Sequence, residues 1–261
     1  MNSNHSVRVI GPGRAGGALA SALAQVGWTV ATPIRHGESV EAAARDVDLL
    51  LIATPDGAIE EVASSITPVP TTVVAHLSGA SGLNVLASHP LRAAIHPLTS
   101  MPTATVGAER LARGAWFALD ANSQDAMDLV ESLVASLGGR SFVVNDEHRA
   151  AYHAAAAIAS NHVVALIGSA ERVAASAGVP IEAYLELVRA TIDNIEVLGV
   201  VDALTGPVAR GDWETVARHR EAIDPSELAL YDALVEAAQR VVDSRTAVTD
   251  STNDANPRTE S

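Results

Sequence analysis

The chain has 261 residues, which is enough for one large or two modest domains with a buried core. It contains no cysteine and no lysine, which excludes disulfides, thiol nucleophiles, cysteine metal sites and any Schiff-base lysine. A formal net charge of -14 and an aromatic fraction of 3% argue against nucleic acid and anionic lipid as partners.

The N-terminal residues 1–6 are mostly polar, and no basic segment with an apolar h-region follows them, so we expect no signal peptide. No apolar run approaches the roughly 20 residues that a membrane span needs. These observations predict a cytoplasmic protein with no membrane partner.

Strand-like and helix-like segments alternate through the first half of the chain. Several strand-like runs are unbroken apolar stretches, which are typical of strands buried on both faces of a parallel sheet. Strands are predicted at residues 7–10, 28–31, 47–53, 72–77, 93–96, 116–119 and 141–144. Helices are predicted at residues 14–26, 40–45, 58–66 and 124–137. The alternation predicts an α/β domain with right-handed crossovers over residues 1–146.

The second half has the pattern of an all-helical domain, predicted here for residues 147–243. Only Gly168 interrupts the first helical pattern, and Pro180 suits the first turn of the next helix. The predicted helices cover residues 147–177, 180–200, 213–223 and 225–242, with a loop at 204–212. The tail at residues 244–261 has almost no apolar residues and is predicted to be disordered.

A glycine pattern follows the first predicted strand. Gly11, Gly13 and Gly16 form G-x-G-x-x-G between a strand and a helix, which is the context of a dinucleotide-binding Rossmann domain. Gly11 would allow the tight turn, Gly13 the approach of a pyrophosphate, and Gly16 the close packing of helix on strand. Arg14 and Ala15 would present backbone N–H groups to the phosphates at the helix N-terminus. The alternative is a glycine turn without a ligand.

The end of the second predicted strand bears on which dinucleotide binds. An NAD site usually carries Asp or Glu there, whereas residues 31–36 contain no acid but do contain Arg35. A guanidinium can hold the 2′-phosphate of NADP(H) in a charge-assisted fork, so we favour NADP(H). Glu38 lies close by and keeps NAD open, and Arg35 without a ligand would be an ordinary surface arginine.

Two further loops follow predicted strands at their carboxyl ends, where ligands bind in doubly wound sheets. Thr54, Pro55 and Asp56 follow the third strand, and Ser78 and Gly79 follow the fourth. We expect both loops to line the cofactor, although ordinary turn chemistry would favour the same residue types.

Several segments together resemble the 6-phosphogluconate dehydrogenase-like superfamily, which includes pyrroline-5-carboxylate reductases, prephenate dehydrogenases and β-hydroxyacid dehydrogenases. The segments are residues 11–16, 76–80, 96–98, 152–161 and 204–212. The chain is most similar to the Rossmann-like family with an uncharacterised helical C-terminal half. That resemblance implies an N-terminal Rossmann domain followed by a helical domain like the C-terminal domain of 6-phosphogluconate dehydrogenase. Some family members are an alternative class of NADPH-dependent ketopantoate reductases.

In such enzymes the nicotinamide transfers the hydride, so the protein must supply a proton and orient the substrate. His96 follows the fifth predicted strand, and a similar His-Pro segment lies beside the substrate in prephenate dehydrogenases. An imidazole that titrates near neutrality can donate or accept a proton. We therefore favour His96 as the proton donor, the alternative being a histidine that only caps a strand end.

The long helix offers two further candidates. The matching helix of β-hydroxyacid dehydrogenases carries K-x-x-x-N, and this sequence keeps Asn161 but has Ala157 at the lysine position. In a regular helix, His153 would lie about 12 Å from Asn161 and about 80° around the axis. The two are predicted to hold opposite ends of a small acid, although His153 could instead pack between helices.

Arg210, in the loop at 204–212, is a candidate partner for a substrate carboxylate, the alternative being a local pair with Asp212. The nine histidines show neither H-x-x-x-H spacing nor an acid-paired set, so no metal is predicted. Apolar stretches such as residues 184–201, and pairing through these helices in relatives, predict a homodimer built on residues 147–242.

The predicted function is the NADPH-dependent reduction of a small 2-oxo acid, with ketopantoate first. Two alternatives remain open. One is an imine reductase of the pyrroline-5-carboxylate type, and the other is a catalytically silent NADP-binding sensor or scaffold protein, because fold alone does not decide among them.

Overall fold

The computed structural model describes residues 5–253, with side chains described as far as residue 245. The chain divides after Asn161 into two compact units. The helical half of the sequence begins near residue 147, as expected, but its first helix belongs to the first unit. The reason is that Arg149 on this helix forms an ion pair with Asp120 of the sheet.

The first unit is built on a seven-stranded sheet. Its strands are β1 (Ser6–Ile10), β2 (Thr29–Val30), β3 (Leu49–Ile52), β4 (Val73–His76), β5 (Arg92–Pro97), β6 (Trp116–Ala121) and β7 (Arg140–Val143). Their order in the sheet is β2-β1-β3-β4-β5-β6-β7. All seven predicted strands are present. The sheet is parallel through β5, but β6 runs antiparallel to β5 and β7 runs parallel to β6.

The central strands are buried on both faces, which confirms the prediction from their unbroken apolar runs. In β3, Leu49 and Leu51 belong to one hydrophobic cluster, and Leu50 and Ile52 belong to a second. Successive side chains of a strand point to opposite faces, so the two clusters lie on the two sides of the sheet. The sheet therefore divides the core of the first unit into two layers.

The helices of the first unit are α1 (Arg14–Gln25), α2 (Ile59–Ser64), α3 (Ala104–Leu111), α4 (Gln124–Ser136) and α5 (Asp146–Ala157). The helix predicted at residues 40–45 is wrong, because this segment forms turns. The Arg8 guanidinium donates hydrogen bonds to the carbonyl oxygens of Ala43 and Arg45. These bonds tie the segment to β1, and the segment makes only i to i+3 backbone bonds of its own, such as Ala43 N to Val40 O.

Helix α3 was not predicted, and it packs against α1. Small residues allow this close approach. A Cβ atom added at Gly107 would lie 2.7 Å from Ala18 Cβ, and one added at Gly17 would lie 3.3 Å from Ala104 Cβ. The interface between the two helices therefore has little room for larger side chains.

The second unit is helical, as predicted. Its helices are α6 (Val163–Ser176), α7 (Ile181–Ala203, kinked at Gly199), α8 (Trp213–Ala222) and α9 (Leu228–Asn253). Helix α7 has no buried residue among its 23, and Val197 and Leu187 are 81% and 62% exposed. The described part of this unit therefore buries far less apolar surface than the first unit does.

The predicted disordered tail begins at residue 244, but α9 continues to Asn253. Extending an existing helix adds one hydrogen bond for each residue fixed, and it does not require tertiary burial. The remaining residues of the predicted tail, 254–261, lie outside the described residues.

A π-helical turn at Ile158–His162 separates α5 from α6. Among the described residues, the stretch Asp146–Ser176 is long and apolar enough by length and composition to cross a membrane, contrary to the expectation from the sequence. One such stretch is weak evidence for a membrane span, and none of its apolar window is buried.

Candidate functional site

The strand order reverses its direction between β1 and β3. The chain passes from β1 to β2 on one side and then returns to β3 on the other, so a crevice forms at the carboxyl ends of β1 and β3. Backbone bonds join the loops there, since Gly11 N donates to Ile34 O and Ala53 N donates to Ile10 O, each at 2.9 Å. The glycine turn, the end of the second strand and the loop after β3 therefore meet at this edge.

The three glycines of the G-x-G-x-x-G pattern have different surroundings. Gly11 has a φ of +81°, and a Cβ there would lie 2.9 Å from Ala53 O. A Cβ at Gly16 would lie 2.7 Å from Ala53 Cβ. At Gly13 an added Cβ would meet no atom within 4 Å. The fold itself therefore requires glycine at Gly11 and Gly16, whereas Gly13 leaves open space beside the turn.

Helix α1 begins at Arg14, directly after this open position. Its N-cap residue is Gly13, which has no side chain that could accept from the first-turn N–H groups. The amides of Arg14 and Ala15 and the positive end of the helix dipole are the groups that bind phosphates in other proteins. The same edge holds the Thr54 hydroxyl, which is buried and has no hydrogen-bond partner. A buried hydroxyl normally has one, so a ligand oxygen or nitrogen here would satisfy it.

The other predicted cofactor residues lie at the same edge. Arg35 is exposed and directly follows Ile34, whose carbonyl accepts from Gly11. Its backbone N–H donates to Glu38 Oε2 at 2.6 Å, so the Glu38 carboxylate already has a partner in the turn. Pro55 and Asp56 are exposed at the start of a 3-10 turn after β3.

Histidine and tyrosine side chains converge near the carboxyl ends of β4 and β5. His96 Nδ1 lies 2.6 Å from the Tyr152 hydroxyl, and the rings of His96 and His153 lie edge to face at 5.8 Å. Both imidazoles pack on Gly79. A Cβ at Gly79 would overlap His153 Nδ1 and would lie 2.9 Å from His96 Nε2. The structure therefore brings together three predicted site residues, His96, His153 and Gly79.

Burial sets the protonation of this cluster. It lowers the pKa of His96 to about 4, together with the nearby charges of His153 and Arg149. Burial likewise lowers the pKa of His76 to about 4, and it raises the pKa of Tyr152 to about 12. His96 is therefore a neutral imidazole at pH 7, whereas its residue type alone predicted titration near neutrality.

Arg149 anchors the helix that carries Tyr152 and His153. Its side chain is 1% exposed, donates to Val144 O at 3.0 Å and forms ion pairs with Asp120 at 3.5 Å and Asp146 at 3.7 Å. Asp146 in turn accepts from the backbone N–H of Leu83, in the loop region that follows β4. These bonds hold the start of α5 against the sheet.

Arg149 and Tyr152 were not predicted as site residues. Arg149, Tyr152 and His153 are spaced i, i+3 and i+4, which places them on one face of α5. This spacing is the sequence signal that would have identified them together with His153.

Ser78 and Asn161 do not join the cluster through their side chains. The Ser78 hydroxyl accepts from the N–H groups of Ala80 and Ser81, so it builds the turn after β4. Asn161 is exposed in the π-helical turn, and its amide oxygen lies 3.3 Å from the Ser160 hydroxyl. Within the described part of the chain, no hydrogen bond joins Asn161 to the histidines. Turns of this kind are nevertheless frequent at functional sites.

Arg210 lies in the second unit. It is exposed at the end of the 3-10 turn Val208–Arg210. Asp212, its alternative partner, accepts from the Thr215 backbone and hydroxyl and thereby caps α8. Among the described side chains, Arg210 and Asp212 form no ion pair within 4.0 Å, although the Thr215 hydrogen bonds and, to a smaller degree, the Arg210 charge lower the pKa of Asp212.

Two family descriptions match the sequence. Residues 31–102 match the Rossmann-like domain, and residues 115–238 match DUF2520, a domain of unknown function. A search of curated proteins found no match.

Many solved structures share the fold. Protein TM1727 from Thermotoga maritima is 26% identical with a TM-score of 0.71, and the match covers 92% of this chain and 99% of that protein. A proposed NADP oxidoreductase from Bacteroides fragilis is 18% identical with a TM-score of 0.76, covering 91% and 98%. Pyrroline carboxylate reductase from Plasmodium falciparum, with NADP bound, is 15% identical with a TM-score of 0.59, covering 92% and 98%. The Rossmann-like match thus lies in the first unit, whereas the DUF2520 match begins just before β6 and extends into α9.

Proposed function

We propose that this chain is an NADP(H)-dependent oxidoreductase. The observation that carries the proposal is the open space at Gly13, between two glycines that the fold itself requires. The pyrophosphate would lie there, on the amides of Arg14 and Ala15. The unpartnered Thr54 hydroxyl supports a ligand at the same edge. The fold shared with a pyrroline carboxylate reductase that has NADP bound adds further support.

Arg35 is the proposed partner of the adenosine 2′-phosphate. Its position beside the glycine turn and its exposed side chain suit a charge-assisted fork to a phosphate. The Glu38 carboxylate, whose presence left NAD as the alternative cofactor, already accepts a hydrogen bond from the Arg35 backbone N–H. This arrangement favours NADP(H) over NAD(H).

The proposed reaction is the reduction of a small 2-oxo acid, and ketopantoate is the first substrate to test. The bound cofactor would supply the hydride, and the residues of this chain would orient the carbonyl and deliver one proton. His96 is the proposed proton-transferring group, and His153 beside it is the proposed contact to the substrate. Asn161 and Arg210 remain proposed substrate contacts on sequence grounds.

An imine reductase is the second candidate, since pyrroline carboxylate reductase shares the fold. An imine accepts hydride as an iminium cation. The burial that keeps His96 neutral at pH 7 would also penalise that cation. A neutral carbonyl carries no such penalty when it binds, but the alkoxide formed from it does, so burial alone does not choose between the two substrates.

The test is NADPH oxidation measured against a panel of 2-oxo acids and cyclic imines. Turnover of a 2-oxo acid is the expected result. Turnover of cyclic imines alone would replace the oxo-acid proposal by the imine one. Tight NADPH binding without any turnover would favour the silent sensor or scaffold.

We also propose that the helical unit pairs with a second copy of this chain. Helix α7 is apolar, yet it buries no residue within one chain. A mainly apolar cavity of about 430 Å³ opens between α6, α8 and α9. Large exposed apolar patches are rare on soluble monomers, so a homodimer is the proposed assembly. The cytoplasm stays the proposed location on sequence grounds.

A further inference from the structure

A carbonyl that accepts a hydride becomes an alkoxide, and the alkoxide needs one proton. At pH 7 the imidazole of His96 is neutral, because burial lowers its pKa to about 4. A neutral imidazole holds a single ring proton, and giving it up alone would leave a strongly basic imidazolate. The ring can pass on that proton only if another proton reaches its second nitrogen.

A hydroxyl that can donate to that second nitrogen lies beside it. The Tyr152 hydroxyl lies 2.6 Å from His96 Nδ1, and the two rings pack edge to face at 5.5 Å. The other nitrogen, His96 Nε2, lies next to Gly79, in the loop that follows β4. Phe142 packs on Tyr152 at 5.8 Å and supports the ring in this position. Tyr152 and the Gly79 loop therefore contact different nitrogens of the same imidazole.

We infer that Tyr152 is the proton source of this site and that His96 relays the proton to the substrate oxygen. The O–H bond of Tyr152 breaks as its proton bonds to Nδ1, and the Nε2–H bond breaks as that proton bonds to the alkoxide. His96 stays neutral with its proton on the other nitrogen. Tyr152 becomes a tyrosinate, which then takes a proton from water. This inference rests on the proposed reductase function.

The direction of transfer follows from the acidities. Burial raises the pKa of Tyr152 to about 12. Alkoxides are about as basic as hydroxide, whose conjugate acid, water, has a pKa of about 15.7, so the transfer to the substrate is downhill. The buried Arg149 guanidinium lowers the pKa of Tyr152 and thereby stabilises the tyrosinate. The pKa of His96, which burial lowers, is also lowered by His153, Arg149 and His76, and it is raised by Asp56.

The chain offers a matched control. In the second unit the Tyr231 hydroxyl lies 2.9 Å from His219 Nδ1, and these rings also pack edge to face. Tyr152→Phe and Tyr231→Phe each remove one hydroxyl from a tyrosine–histidine pair and keep the aromatic ring. Only the first change removes the donor to His96.

The first measurement needs no substrate. In ¹⁵N-histidine-labelled wild type at pH 7, His96 is expected to carry its proton on Nε2, with Nδ1 accepting from Tyr152. Its signal is assigned with His96→Gln. Tyr152→Phe should remove this preference, and Tyr231→Phe should preserve it. A proton on Nδ1 of wild-type His96 would overturn the inference, since the tyrosine would then be the acceptor.

The second measurement is NADPH-dependent reduction of ketopantoate. Tyr152→Phe should lower kcat about 100- to 10,000-fold, the range of a positioned acid, and leave the Kd for NADPH unchanged. The solvent isotope effect on kcat should show two transferred protons in wild type. Tyr231→Phe should retain wild-type kcat, and wild-type kcat in Tyr152→Phe would overturn the relay. A wild type that binds no NADPH would instead contradict the proposed function, while the tautomer of His96 would still decide the inference.

Discussion

Replacing Gly13 by alanine should separate cofactor binding from folding. Gly13 has a φ of -76° and a ψ of -152°, which alanine adopts without left-handed strain. The new Cβ would meet no atom within 4 Å. Gly13 is the N-cap of α1, where glycine is preferred over alanine, so we expect the free energy of unfolding to fall by no more than about 1 kcal/mol.

Gly16→Ala is the matched control. Its Cβ would lie 2.5 Å from Gly11 O and 2.7 Å from Ala53 Cβ, so the backbone of the turn must move. Overpacking of this kind costs about 1 to 3 kcal/mol. In a chain of this size each kcal/mol lowers Tm by about 2 to 4 °C. Gly16→Ala should therefore unfold at a clearly lower temperature than Gly13→Ala.

The affinities should follow a different order from the stabilities. A methyl group at Gly13 would stand where the pyrophosphate approaches the turn. Losing one hydrogen bond to a charged group costs about 1.5 to 3 kcal/mol, which raises the Kd for NADPH at least about tenfold. Fluorescence titration with NADPH and thermal unfolding measure the two effects. Wild-type affinity in Gly13→Ala would refute the phosphate assignment, and equal Tm values in the two variants would refute the packing argument.

Three further predictions concern the cofactor, the pH and the assembly. Arg35→Ala should raise the Kd for NADPH about 10- to 100-fold and leave that for NADH unchanged; titrations of wild type that show no preference would contradict this. The pKa of His76 is about 4 in the folded state and 6.5 in the unfolded state, so the unfolded state takes up a proton first as the pH falls. The free energy of unfolding should therefore be higher by about 3 kcal/mol above pH 6.5 than at pH 4. Urea unfolding at pH 7 and pH 4.5 should therefore differ less in His76→Gln than in wild type, and equal differences would count against it. Sedimentation should give twice the chain mass of 26.9 kDa, and Val197→Asp should lower the measured mass towards that of one chain. The single-chain mass for wild type at micromolar concentration would rule out the dimer.

The strands could be predicted because burial on both faces leaves unbroken apolar runs such as that of β3. The antiparallel direction of β6 could not be predicted from the sequence. The connection from β5 to β6 is long enough for either direction, and it contains α3. Thr103, which caps α3 by accepting from Val106 N, was the local signal for this helix.

The candidate site was predictable in part. The glycine pattern located the turn because the spacing of the three glycines indicates the geometric role of each one. The pKa of His96 was not predictable, because burial rather than residue type sets it. The predicted angle between His153 and Asn161 assumed a regular α-helix. The π-helical turn at Ile158–His162 changes that angle, and no residue type there indicates it.

The packing of α3 against α1 constrains the position of the glycine turn from outside the G-x-G-x-x-G motif. Gly17 directly follows the G-x-G-x-x-G pattern, and it lies against Ala104 of α3. Gly107, one turn further along α3, leaves no space before Ala18. A larger residue at Gly107 would push against the first turns of α1 and shift the amides that would face the phosphates. Cofactor affinity should therefore respond to the volume of a side chain that never touches the cofactor, at a position about 90 residues away in the chain.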